Sequence, residues 1–164
     1  MNLNVKLFAD GADKAGILEM NANPIISGFT TNPTLMRNAG VKDYKTFALD
    51  ILSHISDKPI SLEVFSDDFN IMEEQALEIS SWAENVYVKI PITNTKAESS
   101  VELIDRLSAN NVKINVTAIM TIGQVKSILS SLSKGPGGFV SVFAGRVADT
   151  GIDPLSLMSD VVEL

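Results

Sequence analysis

Six short apolar or β-branched runs recur along the chain: "NVKLFAD" near residue 4, "IISGFTT" near 25, "PISLEVF" near 59, "VYVKIP" near 86, "KINVTAI" near 113 and "FVSVFAG" near 139. Between them lie stretches whose apolar positions return at helical spacing, among them "FNIMEEQALEISSWAE" and "AESSVELIDRLSAN". The order is strand, helix, strand, helix, at roughly 27 residues per unit, the length of a βα repeat. Such alternation predicts a parallel sheet, either closed as a barrel or open and doubly wound. The punctuation agrees: Asn110 and Asn111 follow a helix, "KGPGG" separates the fifth helix from the sixth strand, and Asp153-Pro154 reads as an N-cap with proline at the first helical position.

Neither glycine fingerprint of a nucleotide-binding loop is present, because "GPGG" precedes a strand and no G-x-x-x-x-G-K-[ST] occurs. That weakens the doubly wound nucleotide-binding reading, while a barrel has a difficulty of its own. Eight units need more than about 200 residues, and this chain has 164. A barrel would thus lack about two βα units, and the pattern by itself gives an α/β fold in a single domain over residues 1–164 with about six βα units present.

Charge narrows the partners. Thirteen basic against 20 acidic residues give a net charge of −7, with no Lys/Arg-rich run to follow a phosphate backbone or an anionic membrane. Nucleic acid and membranes are not expected as partners. With no cysteine and one histidine, His54, at what reads as a helix C-terminus, no metal site or disulfide framework is expected. The N-terminus enters a strand without a leader pattern, and no apolar run approaches the roughly 18 residues of a membrane span. A cytoplasmic location is the corresponding expectation.

Each strand run carries a polar residue at or near its C-terminal end: Asp10, Thr30 to Asn32, Glu63, Lys89, Asn115 with Thr117, then Ser141 and Arg146. In a parallel barrel these ends converge on one face, where active sites are built. Each residue also has a bland reading. Asp10 suits a helix cap, "TTNP" a turn ending in an N-cap, Thr117 a strand filler and Arg146 a solvated loop. Lys89 is harder to dismiss, since it interrupts the apolar alternation of "ENVYVKIPIT" where desolvation penalises an ammonium. Its bland reading is an ion pair with Glu63 across adjacent strands.

Four motifs in order, "SGFTTNPTLM", "VYVKIPIT", "INVTAIMT" and "VSVFAGRVAD", resemble the transaldolase family, including its small fructose-6-phosphate aldolase-like members. The resemblance runs from about residue 5 to the end of the chain. It implies a fold of the (β/α)₈ TIM-barrel type, here a single partial barrel domain over residues 1–164 with about six βα units, that moves a dihydroxyacetone unit between sugar phosphates through a lysine imine, without metal or organic cofactor. By position, Lys89 is implied as the nucleophile and Asp10 as the acid/base. Glu63 and Thr117 would hold a proton-shuttling water. Thr30, Asn32 and Asn115 would grip dihydroxyacetone hydroxyls, and Ser141 and Arg146 would face the phosphate end.

The chemistry asks for these residue types. An amine attacks a ketone only when unprotonated, and walls such as Val88 and Ile90 would favour that form. Carbon–carbon cleavage needs a carboxylate to take the hydroxyl proton, an effect of about 10²–10⁴-fold, and a phosphate suits a guanidinium. The aldolase-like branch resembles this chain less, having glutamine and tyrosine where Glu63 and Phe143 stand, so transfer is favoured over aldol cleavage. The seventh and eighth units of the family have no counterpart. The chain is therefore expected to be a fragment, or to be completed by another polypeptide or by a second copy as a homo-oligomer. A non-catalytic truncated barrel or assembly subunit is the competing reading.

Overall fold

The computed structural model describes residues 4–164. Strands β1 (Leu7–Asp10), β2 (Ile26–Thr30), β3 (Ile60–Glu63), β4 (Val86–Pro91), β5 (Ile114–Ile119) and β6 (Gly138–Val142) form one sheet in sequence order, each parallel to the next. The connecting helices are α1 (Lys14–Asn21), α2 (Pro33–Asn38), α3 (Tyr44–His54), α4 (Phe69–Ser80), α5 (Val101–Ala109) and α6 (Ile122–Leu132). Helices α7 (Ala144–Asp149) and α8 (Pro154–Val162) follow β6.

The strand order never reverses, and parallel crossovers are right-handed. The crossover helices therefore lie on one face, and the sheet curls around its other face. This removes the doubly wound alternative, which needs a reversal of strand order. The architecture is a partial (β/α) barrel of six units. At its N-terminal end, Phe8 of β1 and Phe139 of β6 meet edge to face with ring centroids 5.3 Å apart, and Tyr87 of β4 lies 4.5 Å from Phe139. Gly28 permits this plug, because a Cβ there would run into the Phe8 ring.

Successive strand residues point to opposite faces. Val86, Val88 and Ile90 share one parity with Leu62, Ile114 and Val116, and all of these are buried in a single cluster with Ile104, Leu107 and Ile128 of the helices. Burying each such side chain contributes on the order of 1.5–3 kcal/mol. The helix starts are set by their caps. Asp13, Asn32, Asp43, Asp68 and Asp153 accept backbone N–H groups of the first turn, and Thr121 with Gln124 forms a reciprocal capping box.

Two local features depart from plain βα repetition. The β2–β3 connection holds two helices instead of one, the first opened by Asn32 and Pro33. Strand β5 breaks register with β6 between Val116 and Ile119, where Ala118 adopts φ 60°. That bulge lies next to Thr117 and marks a place where the chain departs from the ladder.

Candidate active site

Residues paired in register on parallel strands share a face. Glu63, Lys89 and Asn115 are paired in this way across β3, β4 and β5, so all three point away from the helices, into the curl. Lys89 is 7% exposed. Its Nζ lies 3.0 Å from Glu63 Oε2 and donates to the Thr31 carbonyl at 2.9 Å. The buried ammonium is thus compensated by a carboxylate and a main-chain oxygen, as burial of a charge demands. The expected walls are corrected here: Val88 and Ile90 have the opposite parity and pack among the helices, so they do not wall the amine, whose polar partners are Glu63 and the Thr31 carbonyl.

A second pair lies on β1 and β2, whose register sets Asp10 opposite Thr30. Thr30 Oγ1 donates to Asp10 Oδ1 at 2.6 Å. The cap of α1 is Asp13 instead of Asp10, which leaves the Asp10 carboxylate to Thr30 and solvent. A third group crosses the interior: Asn115 Nδ2 donates to Ser61 Oγ at 3.0 Å, and Ser141 Oγ donates to Asn115 Oδ1 at 2.6 Å.

The remaining expected residues are more dispersed. Asn32 caps α2, its Oδ1 accepting from Leu35 N at 2.9 Å, so its amide NH₂ is the part left for a ligand. Thr117 is buried, of the same parity as Lys89 and Asn115 and two residues beyond Asn115 towards the C-terminal end. Phe143 stands at the junction of β6 and α7 and is 38% exposed. Arg146 projects from α7 with 74% of its side chain exposed and pairs with Asp149 at 3.2 Å. The structure therefore joins Lys89 to Glu63, Asp10 to Thr30 and Asn115 to Ser141, while the polar partner of Arg146 is Asp149 and none of these. His54 ends α3, its Nδ1 2.7 Å from the Asp50 carbonyl.

Three participants escape a reading by residue type. The Thr31 carbonyl is a backbone group and leaves no mark in the sequence. Tyr44 donates its hydroxyl to the Glu63 carbonyl at 3.0 Å and packs edge-on to Phe65 and Trp82. Burial pushes its phenol well above the usual range, and the Glu63 charge adds to the effect. Ser61 was legible in principle, since it lies two residues before Glu63 and shares its inward parity.

Comparison with known proteins supplies the context. A family described as Transaldolase/Fructose-6-phosphate aldolase matches residues 7–163. A probable transaldolase of Dehalococcoides mccartyi is 35% identical over 160 residues, covering 98% of this chain and 70% of that protein. Probable transaldolases of Streptococcus agalactiae and Streptococcus pyogenes are each 36% identical, over 68% and 70% of their own lengths. Among the described residues no helix is long and apolar enough to cross a membrane. A family match across nearly the whole chain, joined to the six-unit barrel and its interior row of polar residues, establishes that this chain belongs to the transaldolase/fructose-6-phosphate aldolase family.

Proposed function

We propose that the chain carries the imine-forming site of a transaldolase, which transfers a dihydroxyacetone unit between sugar phosphates. The observation that carries this reading is the Lys89–Glu63 contact of 3.0 Å in the barrel interior, with the Thr31 carbonyl as the second acceptor. A buried lysine held beside a carboxylate has both a nucleophile and a base within one hydrogen bond.

In this mechanism Glu63 takes a proton from Lys89 Nζ, directly or through a water held with Thr117, and the free amine attacks the ketose C2. The carbonyl oxygen leaves as water, giving an iminium. Asp10 then accepts the proton of the C4 hydroxyl as the C3–C4 bond breaks, and that electron pair flows to the iminium nitrogen. Thr30 holds Asp10 in place. Thr30, Asn32 and Asn115 would bind the dihydroxyacetone hydroxyls, and Ser141, Phe143 and Arg146 would line the path to the phosphate. The exposed Arg146 guanidinium suits a dianion arriving from solvent. An acceptor aldehyde reverses these steps.

Glu63 and Phe143 favour transfer over simple aldol cleavage, because a carboxylate is a base where an amide is not, and a phenyl ring offers no hydroxyl to protonate a released enamine. One observation supports the reading in which further strands complete the barrel, from another segment or another copy: among the described residues, β1 and β6 each pair with a single neighbour. The decisive experiment is reduction with borohydride in the presence of fructose 6-phosphate, followed by mass spectrometry of the peptides. An adduct on Lys89 is expected. Its absence from a well-folded sample, with or without partner copies, would overturn the proposal.

A further inference from the structure

We infer that Ser61 is a positioning residue of this site, one that holds the Asn115 amide in the pose in which it meets the hydroxyls of a bound ketose. The inference rests on the transaldolase reading above. It starts from a serine with no exposed surface on a strand whose neighbours Ile60 and Leu62 are aliphatic. A fully buried hydroxyl gives the core nothing that alanine would not, unless it has a partner. Its partner is Asn115 Nδ2, 3.0 Å away on β5.

The register shows where that contact runs. Ser61 pairs with Tyr87, and Asn115 pairs with Lys89. The amide therefore reaches across the inner face of β4, from the level of Lys89 towards that of Tyr87. Its other end is held from the opposite side by Ser141 Oγ at 2.6 Å. An amide has two N–H donors and two acceptor lone pairs. Ser61 and Ser141 use one of each, leaving one N–H and one lone pair, both fixed in direction, for a ligand.

Without Ser61 that arrangement loosens. Asn115 is 3% exposed, so the freed Nδ2 hydrogen has no solvent to turn to, and the amide torsion is soft enough for the group to swing towards another acceptor. Its contacts would then have to be organised during binding, at a cost in ligand capture. The effect acts through Asn115 and depends on hydroxyls in the ligand.

The test compares reductive trapping by dihydroxyacetone and by acetone, in the unsubstituted chain and in Ser61→Ala and Ser61→Thr. In each case Lys89 Nζ bonds to the carbonyl carbon, the oxygen leaves as water, and borohydride delivers hydride to the imine carbon to give a stable secondary amine. Ser61→Ala should slow trapping by dihydroxyacetone about tenfold, the loss expected for one broken hydrogen bond, and leave acetone trapping unchanged. Ser61→Thr, which keeps the hydroxyl, should restore most of the rate. Equal losses for both carbonyls, or no loss for dihydroxyacetone, would overturn the inference and reduce Ser61 to a packing residue. Failure of the unsubstituted chain to trap either carbonyl at Lys89 is a different result, which removes the imine reading itself. If Ser61→Ala does not fold, Ser61→Cys, similar in shape but a weak acceptor, carries the same comparison.

Discussion

Lys89 and Glu63 face each other on neighbouring parallel strands, and their 3.0 Å contact makes each the main electrostatic partner of the other in a largely buried place. Removing either alone leaves an uncompensated charge, which costs on the order of 3 kcal/mol. Lys89→Met and Glu63→Gln should therefore each destabilise the fold, and the double variant should recover at least about 1 kcal/mol relative to their sum. Urea unfolding of the four proteins measures this. Strict additivity would mean that the two groups are not an energetic unit.

Arg146 makes the opposite case. Its side chain is mostly in solvent and its one ion pair, with Asp149 on the same helix, is exposed. Arg146→Ala should change stability by less than about 0.5 kcal/mol. It should weaken capture of phosphorylated sugars at least tenfold, as expected when a charged hydrogen bond is lost, and leave unphosphorylated ketoses untouched. Equal weakening of both substrate types would remove Arg146 from the phosphate end.

Gly138 opens β6 opposite Ile114. A Cβ at this position would collide with the Ile114 carbonyl, which is backbone in the sheet and has little room to yield. Gly138→Ala should cost about 1–3 kcal/mol and loosen β6, and hydrogen exchange should show lost protection from Val140 to Val142. Retention of full protection would show that the ladder adapts.

Acid should weaken the fold through surface carboxylates. Asp67 is held below its ordinary range by the Thr95 hydroxyl and then the Thr95 N–H, Asp105 by Lys134, Asp50 by Lys14, and Asp43 chiefly by the Thr46 N–H. Unfolded, these groups take up protons near pH 4; folded, only at lower pH. Their stabilisation is therefore fully present above about pH 4–5 and is lost as pH falls through the folded values. Melting temperatures should be flat near neutrality and drop below pH 4, and Asp67→Asn should make that drop shallower. An unchanged acid slope in the variant would discount the Asp67–Thr95 contacts.

The order of strands and helices was legible because hydrophobic period switches cleanly between elements, and "VYVKIP" coincides with β4 residue for residue. The first of the two helices after β2 was less visible, since α2 is only six residues long and owes its start to the Asn32 cap and Pro33. The inward polar residues were legible by type. Their surroundings were not: reading Val88 and Ile90 as walls of the lysine site overlooked that neighbours in a strand face opposite ways. Groups such as the Thr31 carbonyl and the Tyr44 hydroxyl reach the site only through tertiary packing, which no local pattern encodes.

The alternation of side chains along each strand has an engineering consequence. Residues of one parity, such as Val86, Val88 and Ile90, meet the helices, while Lys89 and its registered neighbours meet the interior. The aliphatic packing against the helices and the groups around the amine are thereby carried on interleaved faces of the same sheet. A designer can recombine the aliphatic face to raise heat tolerance, one methylene at a time, without altering the set of groups that surround the amine.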